Sequence, residues 1–318
     1  MRLEEAVQAT DVLMYAAVKS DVKVLEEASR HIITAGGKRV RPRVLFLSYQ
    51  AVGGKNLAEV IPLAAAVELV HTATLVHDDI NDHGHVRRGR VTVNERWGRT
   101  FALLTGDFLF TQVYSLMAPY GDLNKVLAEA TVALVEGETL QAAAAKEDNL
   151  NREIYQQIVA KKTASLFRAS ALLGATFAGG EKKIVDALGD YGFYLGLVFQ
   201  VTDDLLDLTG DPRLTGKEVG IDVAQGKGVA SAYIHERGGN GQHRVMEQVA
   251  EASELDVNGE DPFLAIKRRL IAGGAVEEGT KMSQFLASQA RSALSLTPSN
   301  ASQQELERLI DQVLNRHN

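Results

Sequence analysis

Long runs of apolar residues at three- and four-residue steps constrain the fold of this chain more than any other feature of its sequence. Such runs occupy residues 58–76, 101–117, 123–145 and 155–174, and this spacing places apolar side chains along one face of an α-helix. Proline, which interrupts helices, occurs only six times in 318 residues. Because no stretch alternates polar and apolar residues as a half-buried strand would, the sequence predicts an all-α fold.

Glycine-containing breaks separate these runs and are expected to be turns between helices. They lie at residues 35–37, 53–54, 83–85, 179–180, 209–212 and 238–241. Near the carboxyl end, Ser302 with Glu305 three positions later fits a capping box, so a last helix is expected to begin near Asn300. A hydrophobic content of 45% lets a chain of this length form one long domain or two tightly joined ones.

The composition excludes several classes of function. The net charge of −7 argues against nucleic acid as a partner and against a polybasic membrane anchor. The absence of cysteine excludes disulfides, thiolate metal sites and cysteine nucleophiles. Residues 1–5 contain no apolar signal core, and the longest apolar stretch, residues 61–70, is interrupted by Glu68. We therefore expect a cytoplasmic protein without a transmembrane segment.

The pattern D-D-x-x-D occurs twice, each time within a stretch that otherwise reads as buried helix. The copies are residues 78–82 (DDIND) and 203–207 (DDLLD). The first and last aspartates of each copy are four residues apart, so their carboxylates project from one helix face. Such crowded carboxylates repel one another and are costly to desolvate unless a cation lies between them. The motifs therefore indicate magnesium, although one such motif alone is more often a solvated helix end.

Cationic residues near the first motif favour the metal interpretation. Arg87 and Arg88 follow it after a short turn, and residues 36–43 (GGKRVRPR) place four cations in a turn that enters an apolar helix. Arginine holds phosphate oxygens bidentately, so these groups are candidates for a diphosphate clamp. The alternative is a solvated basic surface. On a helical wheel, His71 lies on the same stripe as the carboxylates.

The second motif has comparable neighbours. Gln200 precedes it by one turn on the same helix face, and a glycine-rich loop with Lys217 and Lys227 follows it. Lys162 and Thr163 lie between the two motifs on an amphipathic helix, a position that usually means solvated surface.

Together these motifs resemble those of the trans-prenyl diphosphate synthases, which include farnesyl, geranylgeranyl and longer polyprenyl diphosphate synthases. The resemblance extends from about residue 36 to residue 227 and includes G-G-K-R-x-R-P, H-D-D-x-x-D with a following R-R-G, G-D at residues 106–107, K-T-A at residues 162–164, and F-Q-x-x-D-D-x-x-D followed by G-K-x-x-G-x-D. It implies a single domain over residues 1–318. That domain would be a large bundle of mostly antiparallel helices around a deep central cavity, of the isoprenoid synthase type and usually homodimeric.

The resemblance also assigns roles to residues of this chain. The metal-binding residues would be Asp78 and Asp82 from one wall and Asp203 from the other, supported by Asp79, Asp204 and Asp207. They would hold three Mg²⁺ ions with the diphosphate of an allylic substrate bound. That diphosphate would also contact Arg87, Lys162, Lys217 and Lys227. Isopentenyl diphosphate would bind at Lys38, Arg41, His71 and Arg88, and the reacting carbon would lie beside Thr163 and Gln200.

The implied reaction is a head-to-tail (1'-4) condensation of these two substrates. Loss of diphosphate leaves an allylic cation, and metal ions stabilise the charge that grows on the leaving group. Isopentenyl diphosphate attacks the cation through its double bond. Loss of a proton, with the released diphosphate as base, gives a trans product five carbons longer.

Small residues below the first motif bear on product length. In the family, the residues four and five positions before the first aspartate help to form the floor under the growing chain, and here they are Thr74 and Ala73. We predict a product longer than farnesyl, with geranylgeranyl as the lower bound and hexaprenyl or longer expected. Bulk that stops the chain could come from Phe108, Phe110, Tyr114 and Met117, which core packing explains equally well. So apolar a product implies transient membrane contact.

Two other functions remain open. A terpene cyclase also ionises prenyl diphosphates on an all-helical fold, but it would have little reason to keep Lys38, Arg41 and Arg88. A non-catalytic subunit of a heteromeric prenyl synthase commonly loses one aspartate motif, whereas this chain has both. The chain departs from the family after Lys227, where Gly228 and the residues behind it replace a usual threonine, leucine and proline. His83 and His85 are expected to lie in a solvated turn.

Overall fold

The computed structural model describes residues 1–147, 149–209, 268 and 271–316, and this part of the chain is almost entirely helical. The all-α prediction is confirmed. In chain order the α-helices are α1 (Leu3–Ala17), α2 (Lys23–Ile33), α3 (Val40–Ala51), α4 (Ile61–Asn81), α5 (Val93–Trp97), α6 (Arg99–Met117), α7 (Leu123–Glu147), α8 (Arg152–Val159), α9 (Ser165–Phe177), α10 (Lys182–Thr209), α11 (Ala275–Leu294) and α12 (Ala301–Leu314). Short 3₁₀ turns cover Leu57–Val60 and Ala118–Tyr120, and a π-helical turn covers Ala160–Ala164.

A small β-hairpin between α4 and α5 departs from the sequence prediction. Strands β1 (Val86–Arg87) and β2 (Arg90–Val91) pair antiparallel, with Val86 opposite Val91. Two-residue strands are too short to show alternation in the sequence. The turn between them places Arg88 and Gly89 at φ 51° and 72°, the left-handed region in which non-glycine residues are uncommon. The hairpin thereby fixes the direction of the Arg87–Arg88 pair.

The helix boundaries correct two details of the sequence analysis. The run at residues 155–174 is helical throughout, but a π-helical turn interrupts its α-helical geometry between α8 and α9. The capping box at Ser302 is wrong: Asn300 caps α12, its Oδ1 accepting a hydrogen bond from the Gln303 N–H at 3.0 Å. Most of the other glycine-containing breaks do lie between helices, and residues 210–212 and 238–241 lie outside the described residues.

The chain divides into two compact units, each assembled from separated segments. The first unit contains Met1–Thr131, Leu166–Gly192 and Leu294–Leu306, and the second contains Val132–Ser165, Phe193–Ala293 and Glu307–Asn318. In the first unit, α4 packs against α1, α3 and α6 and is buried along most of its length, because small residues such as Ala65 and Ala73 admit its neighbours closely. That the whole chain forms one synthase domain stays a prediction.

Three described helices are long and apolar enough, by length and composition alone, to cross a membrane. They are Leu57–Asn81, Arg99–Tyr120 and Lys182–Thr209. The most apolar window of the first is 72% buried inside the protein, whereas that of the second is only 33% buried. The sequence predicts no such segment because Glu68 interrupts the apolar stretch at residues 61–70. The absence of a transmembrane segment therefore stays a prediction, and the exposed face of α6 needs a separate explanation.

Candidate active site

The first aspartate motif stands at the carboxyl end of α4. Asp78 and Asp79 lie in the last turn, and Asp82 is the C-cap residue, its N–H donating to the Asp78 carbonyl at 2.8 Å. The carboxyl end of a helix carries partial negative charge, so acidic side chains there are electrostatically unfavourable. Burial raises the pKa of Asp79, and the nearby Arg87 guanidinium opposes that rise. The position favours any cation that binds to these carboxylates.

Arg87 fixes the middle aspartate of this motif. Its Nε donates to Asp79 Oδ1 at 2.7 Å, while Asp79 Oδ2 is buried without a hydrogen-bond partner. The hairpin strand β1 thus ties itself back to the end of α4. Asp79 is committed to this ion pair, which leaves Asp78 and Asp82 as the partly exposed carboxylates of the motif.

The second aspartate motif lies in the last two turns of α10, in the second unit. Asp204 is buried and accepts hydrogen bonds at both oxygens, from Tyr155 Oη at 2.7 Å and from Gln200 Nε2 at 2.8 Å. Asp203 is partly exposed and receives Arg316 Nη1 at 3.0 Å. This motif therefore repeats the first: carboxylates collect at the negative end of a helix, and the middle aspartate is held by protein donors.

The donor set of both motifs suits a hard cation. Ionised carboxylates are oxygen ligands of the kind that Mg²⁺ prefers. Among the residues that the structure describes, no three His, Asp or Glu side chains converge closely enough to hold an ion by themselves. A cation at either motif would therefore need oxygen ligands from water or from a phosphate as well.

A basic cluster, consisting of Lys38, Arg41, His71 and Arg88, forms in the first unit. The Arg41 guanidinium is buried over the Phe167 ring, 4.6 Å from its centroid. The Arg88 guanidinium lies on Gly37, where an added Cβ would be only 2.8 Å from Nη1. Gly37 therefore leaves the space that Arg88 occupies, and Lys38 is exposed beside it.

The pKa of His71 reflects both its burial and the positive charge of this cluster. Burial lowers its pKa well below the ordinary value of 6.5, and the charges of Arg41, Arg88, Arg87 and Arg39 lower it further. An imidazole in such surroundings is neutral at pH 7. The cluster thus presents permanent arginine charge together with one neutral imidazole N–H, a combination suited to an anion with several oxygens.

The structure separates the four cations of residues 36–43 into two pairs. Arg39 is buried and tied to Glu68 Oε1 at 2.8 Å and to Asp11 Oδ1 at 2.7 Å. Arg43 pairs with both carboxylate oxygens of Glu4. These two arginines are neutralised by partners within the unit, which makes them poor candidates for the clamp predicted from the sequence.

A second polar group forms in the second unit around the π-helical turn. Lys162 Nζ lies 2.6 Å from Glu138 Oε1 and 2.7 Å from Gln141 Oε1 on α7. Thr163 Oγ1 donates to Gln200 Oε1 on α10 at 2.8 Å. The turn inserts a wider loop into the helix, a feature that is frequent at functional sites. It brings two of the predicted site residues, Thr163 and Gln200, into direct contact.

Comparison with known sequences identifies the family of this chain. A sequence model of the Polyprenyl synthetase family matches residues 22–258. The chain belongs to the polyprenyl synthetase family.

Members of this polyprenyl synthetase family differ in their products. Octaprenyl diphosphate synthase of Escherichia coli is 39% identical over 212 residues, which is 66% of this chain and 65% of that protein. Heptaprenyl diphosphate synthase component 2 of Geobacillus stearothermophilus is 38% identical over 226 residues, 70% of each chain. The matched region thus spans less than two thirds of the octaprenyl synthase.

A solved structure extends the likeness of the fold over nearly the whole chain. The polyprenyl synthase of Caulobacter crescentus, crystallised with calcium and isoprenyl diphosphate, is 34% identical and superposes with a TM-score of 0.89. The match covers 99% of this chain and 96% of that one. Polyprenyl synthetases generally use a divalent metal and act on isopentenyl and allylic diphosphates. The family and isoprenoid synthase fold predicted from the motifs are therefore confirmed.

The remaining predicted site residues lie in three places. Ala73 and Thr74 are buried in α4, and Thr74 Oγ1 donates to the His71 carbonyl at 2.8 Å. His83 and His85 lie in the exposed turn before the hairpin, His85 beside Glu95. Lys217, Lys227 and the departure at Gly228 lie outside the described residues.

Sequence reasoning missed Tyr155 and Arg316, and it noticed Glu68 only as a charge in an apolar stretch. Tyr155 is one aromatic residue in a short amphipathic helix, and Arg316 lies near the carboxyl end of the chain. Neither has a spacing that links it to an aspartate motif. Only the unbroken apolar surroundings of Glu68 could have indicated a buried partner, because a buried charge needs one.

Gly137 controls how closely α7 approaches the π-helical turn. A Cβ at this position would lie 2.5 Å from the Lys162 backbone nitrogen and 2.9 Å from its Cα. We expect Gly137→Ala to displace Lys162 and Thr163, to lower stability by about 1–3 kcal/mol as overpacking usually does, and to lower kcat. Thermal denaturation and steady-state kinetics would measure both. Full activity in Gly137→Ala would contradict the expectation.

Proposed function

We propose that this protein is a prenyltransferase that condenses isopentenyl diphosphate head-to-tail with an allylic prenyl diphosphate, in a Mg²⁺-dependent reaction. The observation that carries the proposal is the basic cluster around His71, on which four arginine charges act. It lies in the same compact unit as the first aspartate motif. Two phosphate-binding sets of different chemistry fit an enzyme with two diphosphate substrates. A cyclase has only one such substrate.

The aspartates at the helix ends would hold the metal ions. Asp78, Asp82 and Asp203 are the partly exposed members of their motifs, whereas Asp79 and Asp204 are buried and held by protein donors. We assign direct metal ligation to the first group and support to the second, together with Asp207. When bound, three Mg²⁺ ions would neutralise the charge on the departing diphosphate.

The basic cluster would bind isopentenyl diphosphate through Lys38, Arg41, His71 and Arg88. Arg87 and Lys162 would contact the allylic diphosphate, as would Lys217 and Lys227. Holding both substrates in place makes attack on the allylic cation effectively unimolecular. Thr163 and Gln200 would face the reacting carbon with oxygen atoms that stabilise positive charge.

His71 gives this site a pH dependence that can be measured on the free protein. Because the pKa of His71 is lowered by folding, the unfolded chain binds more protons than the folded one just below pH 6.5. The free energy of unfolding should therefore fall as the pH falls from 6.5, at up to about 1.4 kcal/mol per pH unit for one proton. His71→Gln should flatten this dependence. Urea denaturation at several pH values would test it, and an unchanged slope in the variant would refute it.

The product is proposed to be longer than farnesyl. Ala73 and Thr74 are small, so α4 contributes no aromatic wall four or five residues before Asp78. The named products of two relatives, octaprenyl and heptaprenyl diphosphate, support the same proposal. A sole fifteen-carbon product would refute it.

One assay separates the candidate functions. The purified protein would be mixed with Mg²⁺, farnesyl diphosphate and labelled isopentenyl diphosphate, and its products separated by chromatography. Elongated prenyl diphosphates would support the synthase, and their length would be read from the same chromatogram. A hydrocarbon would indicate a terpene cyclase. Silence would favour a subunit of a heteromeric synthase, an alternative that the name of the Geobacillus component keeps open.

The exposed apolar face of α6 supports a homodimer. This helix exposes four large apolar or aromatic side chains: Phe101, Leu103, Leu104 and Tyr114. Exposed patches of this kind mark interaction sites, and a second copy of this chain is the occupant that we propose. A cytoplasmic location with transient membrane contact is consistent with this assignment.

Leu104→Glu should convert the dimer to a monomer, because a buried charge without a partner is costly at an interface. Sedimentation equilibrium would measure the change. Leu296→Glu is the matched control, since Leu296 is similarly exposed outside α6 and should leave the mass unchanged. A monomeric wild-type protein would refute the homodimer.

A further inference from the structure

A buried hydroxyl completes the surroundings of Asp204. Tyr155 Oη donates to Asp204 Oδ2 at 2.7 Å, and Gln200 Nε2 donates to Asp204 Oδ1 at 2.8 Å. Both Tyr155 and Asp204 are buried, at 3% and 6% exposure. A buried carboxylate needs such donors, because each hydrogen bond offsets part of the cost of removing it from water.

These contacts determine which way the Gln200 amide points. An ionised carboxylate only accepts hydrogen bonds, so the NH₂ group of Gln200 must face Asp204 and its Oε1 must face away. Thr163 Oγ1 donates to that Oε1 at 2.8 Å. The hydrogen-bond chain therefore runs from Thr163 through Gln200 to Asp204, where Tyr155 meets it from the other side. The single hydroxyl proton of Thr163 is used within the chain.

The hydrogen bonds at Thr163 and Gln200 therefore have a fixed donor-to-acceptor direction. Because the Thr163 proton is donated to Gln200 and one Gln200 N–H is donated to Asp204, Thr163 Oγ1 and Gln200 Oε1 retain oxygen lone pairs for another group. Hydrogen bonds in such a chain polarise one another, which increases the negative partial charge on those oxygens. An allylic cation would be stabilised by this arrangement, whereas a reversed Gln200 amide would present N–H groups and disfavour it.

Tyr155 is held rigidly in the position from which it donates. Its ring packs in a buried cluster with Leu150, Ile158 and Val159, against which Leu197 of α10 also packs. Asn151 caps α8, its Oδ1 accepting from the Ile154 N–H at 2.9 Å. Tyr155 and Thr163 thus belong to one continuous helical segment and bind α10 at two points, through Asp204 and through Gln200.

We propose that Tyr155 is a positioning residue of the prenyl transfer site: its hydroxyl holds the Asp204 carboxylate so that Gln200 and Thr163 present oxygen lone pairs to the reacting allylic carbon. The inference rests on the proposed function for its catalytic consequence. The orientation of the amide itself does not depend on that function.

The test compares two tyrosines that each donate one buried hydrogen bond. Tyr155→Phe removes the bond to Asp204, and Tyr191→Phe removes a bond of 2.7 Å to the Leu306 carbonyl, in the other unit. We expect both to lower the melting temperature by similar amounts. Only Tyr155→Phe should slow the single-turnover consumption of the allylic diphosphate, about tenfold, with the dissociation constants of both substrates within twofold of wild type. Equal single-turnover rates in the two variants would overturn the proposal.

A double-mutant cycle provides a readout that a merely structural role would not change. If Tyr155 acts through Gln200 on Thr163, adding Thr163→Val to Tyr155→Phe should slow the reaction little further. The same replacement combined with Tyr191→Phe should slow the reaction as much as Thr163→Val does alone. Additive losses from Tyr155→Phe and Thr163→Val would contradict the proposed hydrogen-bond chain.

A third measurement distinguishes failure of this inference from failure of the proposed function. In selectively ¹⁵N-labelled protein, the Gln200 side-chain amide, assigned by its loss in Gln200→Glu, should exchange slowly with solvent in wild type and in Tyr191→Phe. It should exchange at least tenfold faster in Tyr155→Phe. If the wild-type protein elongates no substrate, the proposed function fails, and this exchange result alone decides whether Tyr155 orients the amide. Equal exchange in all three proteins would overturn the inference even in an active enzyme.

Discussion

Asp78→Ala is expected to lower kcat about a thousandfold, because removing one strong electrostatic group at a developing charge typically has an effect of this size. Asp78 lies in the last turn of α4 and shares that end of the helix with Asp79 and Asp82. Arg87 already engages Asp79. The loss of Asp78 should therefore remove a direct metal ligand that the motif cannot replace.

The same substitution should leave stability unchanged or raise it. A carboxylate at the carboxyl end of a helix is repelled by the helix dipole and by its acidic neighbours. Functional sites often carry such unfavourable groups at the expense of stability. Thermal denaturation without metal, together with kinetics over a range of Mg²⁺ concentrations, would measure both effects.

Asp186→Ala is the matched control for Asp78→Ala. Asp186 lies on α10, half-exposed and paired with Lys182 at 2.8 Å. Its loss changes the net charge equally but should leave kcat within twofold of wild type. An Asp78→Ala variant with more than a tenth of wild-type activity would contradict the assigned role.

Glu68→Ala is expected to destabilise the protein by about 3–5 kcal/mol, the usual result of removing one partner of a buried ion pair. The side chains of Arg39 and Glu68 are only 5% and 3% exposed. Arg39 also has a backbone φ of 48°, a left-handed conformation that persists only where the surroundings enforce it. Without Glu68, the buried guanidinium would retain Asp11 as its one carboxylate partner in the described contacts.

Glu4→Ala provides the comparison for this prediction. Glu4 binds Arg43 through two hydrogen bonds, but its side chain is exposed. The loss of such a surface pair should cost only about 0–1 kcal/mol. Urea denaturation of both variants would measure the difference. Equal destabilisation by Glu4→Ala and Glu68→Ala would show that burial of the Arg39 pair has no special importance.

Glu68→Ala should also disturb the basic cluster. Arg39 immediately follows Lys38, and its charge acts on His71. Freed from Glu68, the turn at residues 36–39 should lose its fixed conformation, so the KM for isopentenyl diphosphate should rise more than that for the allylic substrate. A variant with unchanged KM values would restrict Glu68 to a role in stability.

The sequence could predict the helices because each depends on local spacing. The runs at residues 101–117 and 123–145 became α6 and α7 with boundaries close to those expected. The two aspartate motifs were visible for the same reason, since carboxylates four residues apart share a helix face wherever the helix lies. The family followed from the order of several such local motifs.

The π-helical turn at Ala160–Ala164 could not be predicted from local residue spacing. Its residues are ordinary helix formers, and the bulge accompanies a close approach by Gly137, which comes from α7. The hairpin at Arg87 and Arg88 is similarly invisible, because two-residue strands carry no periodicity. In both places the backbone follows contacts between segments that are distant in sequence.

By itself, then, the sequence determined the helical fold, the family and the positions of the acidic and basic residues. Tertiary structure decided which of those residues are already neutralised. Arg39 and Arg43 looked like candidates for anion binding along the chain, yet Glu68 and Glu4 pair with them. Tyr155 on α8 belongs to the site only because its hydroxyl donates to Asp204 on α10, a contact that the sequence does not show. The physical reason is that burial and hydrogen bonding depend on distance in space, which local spacing along one helix does not specify.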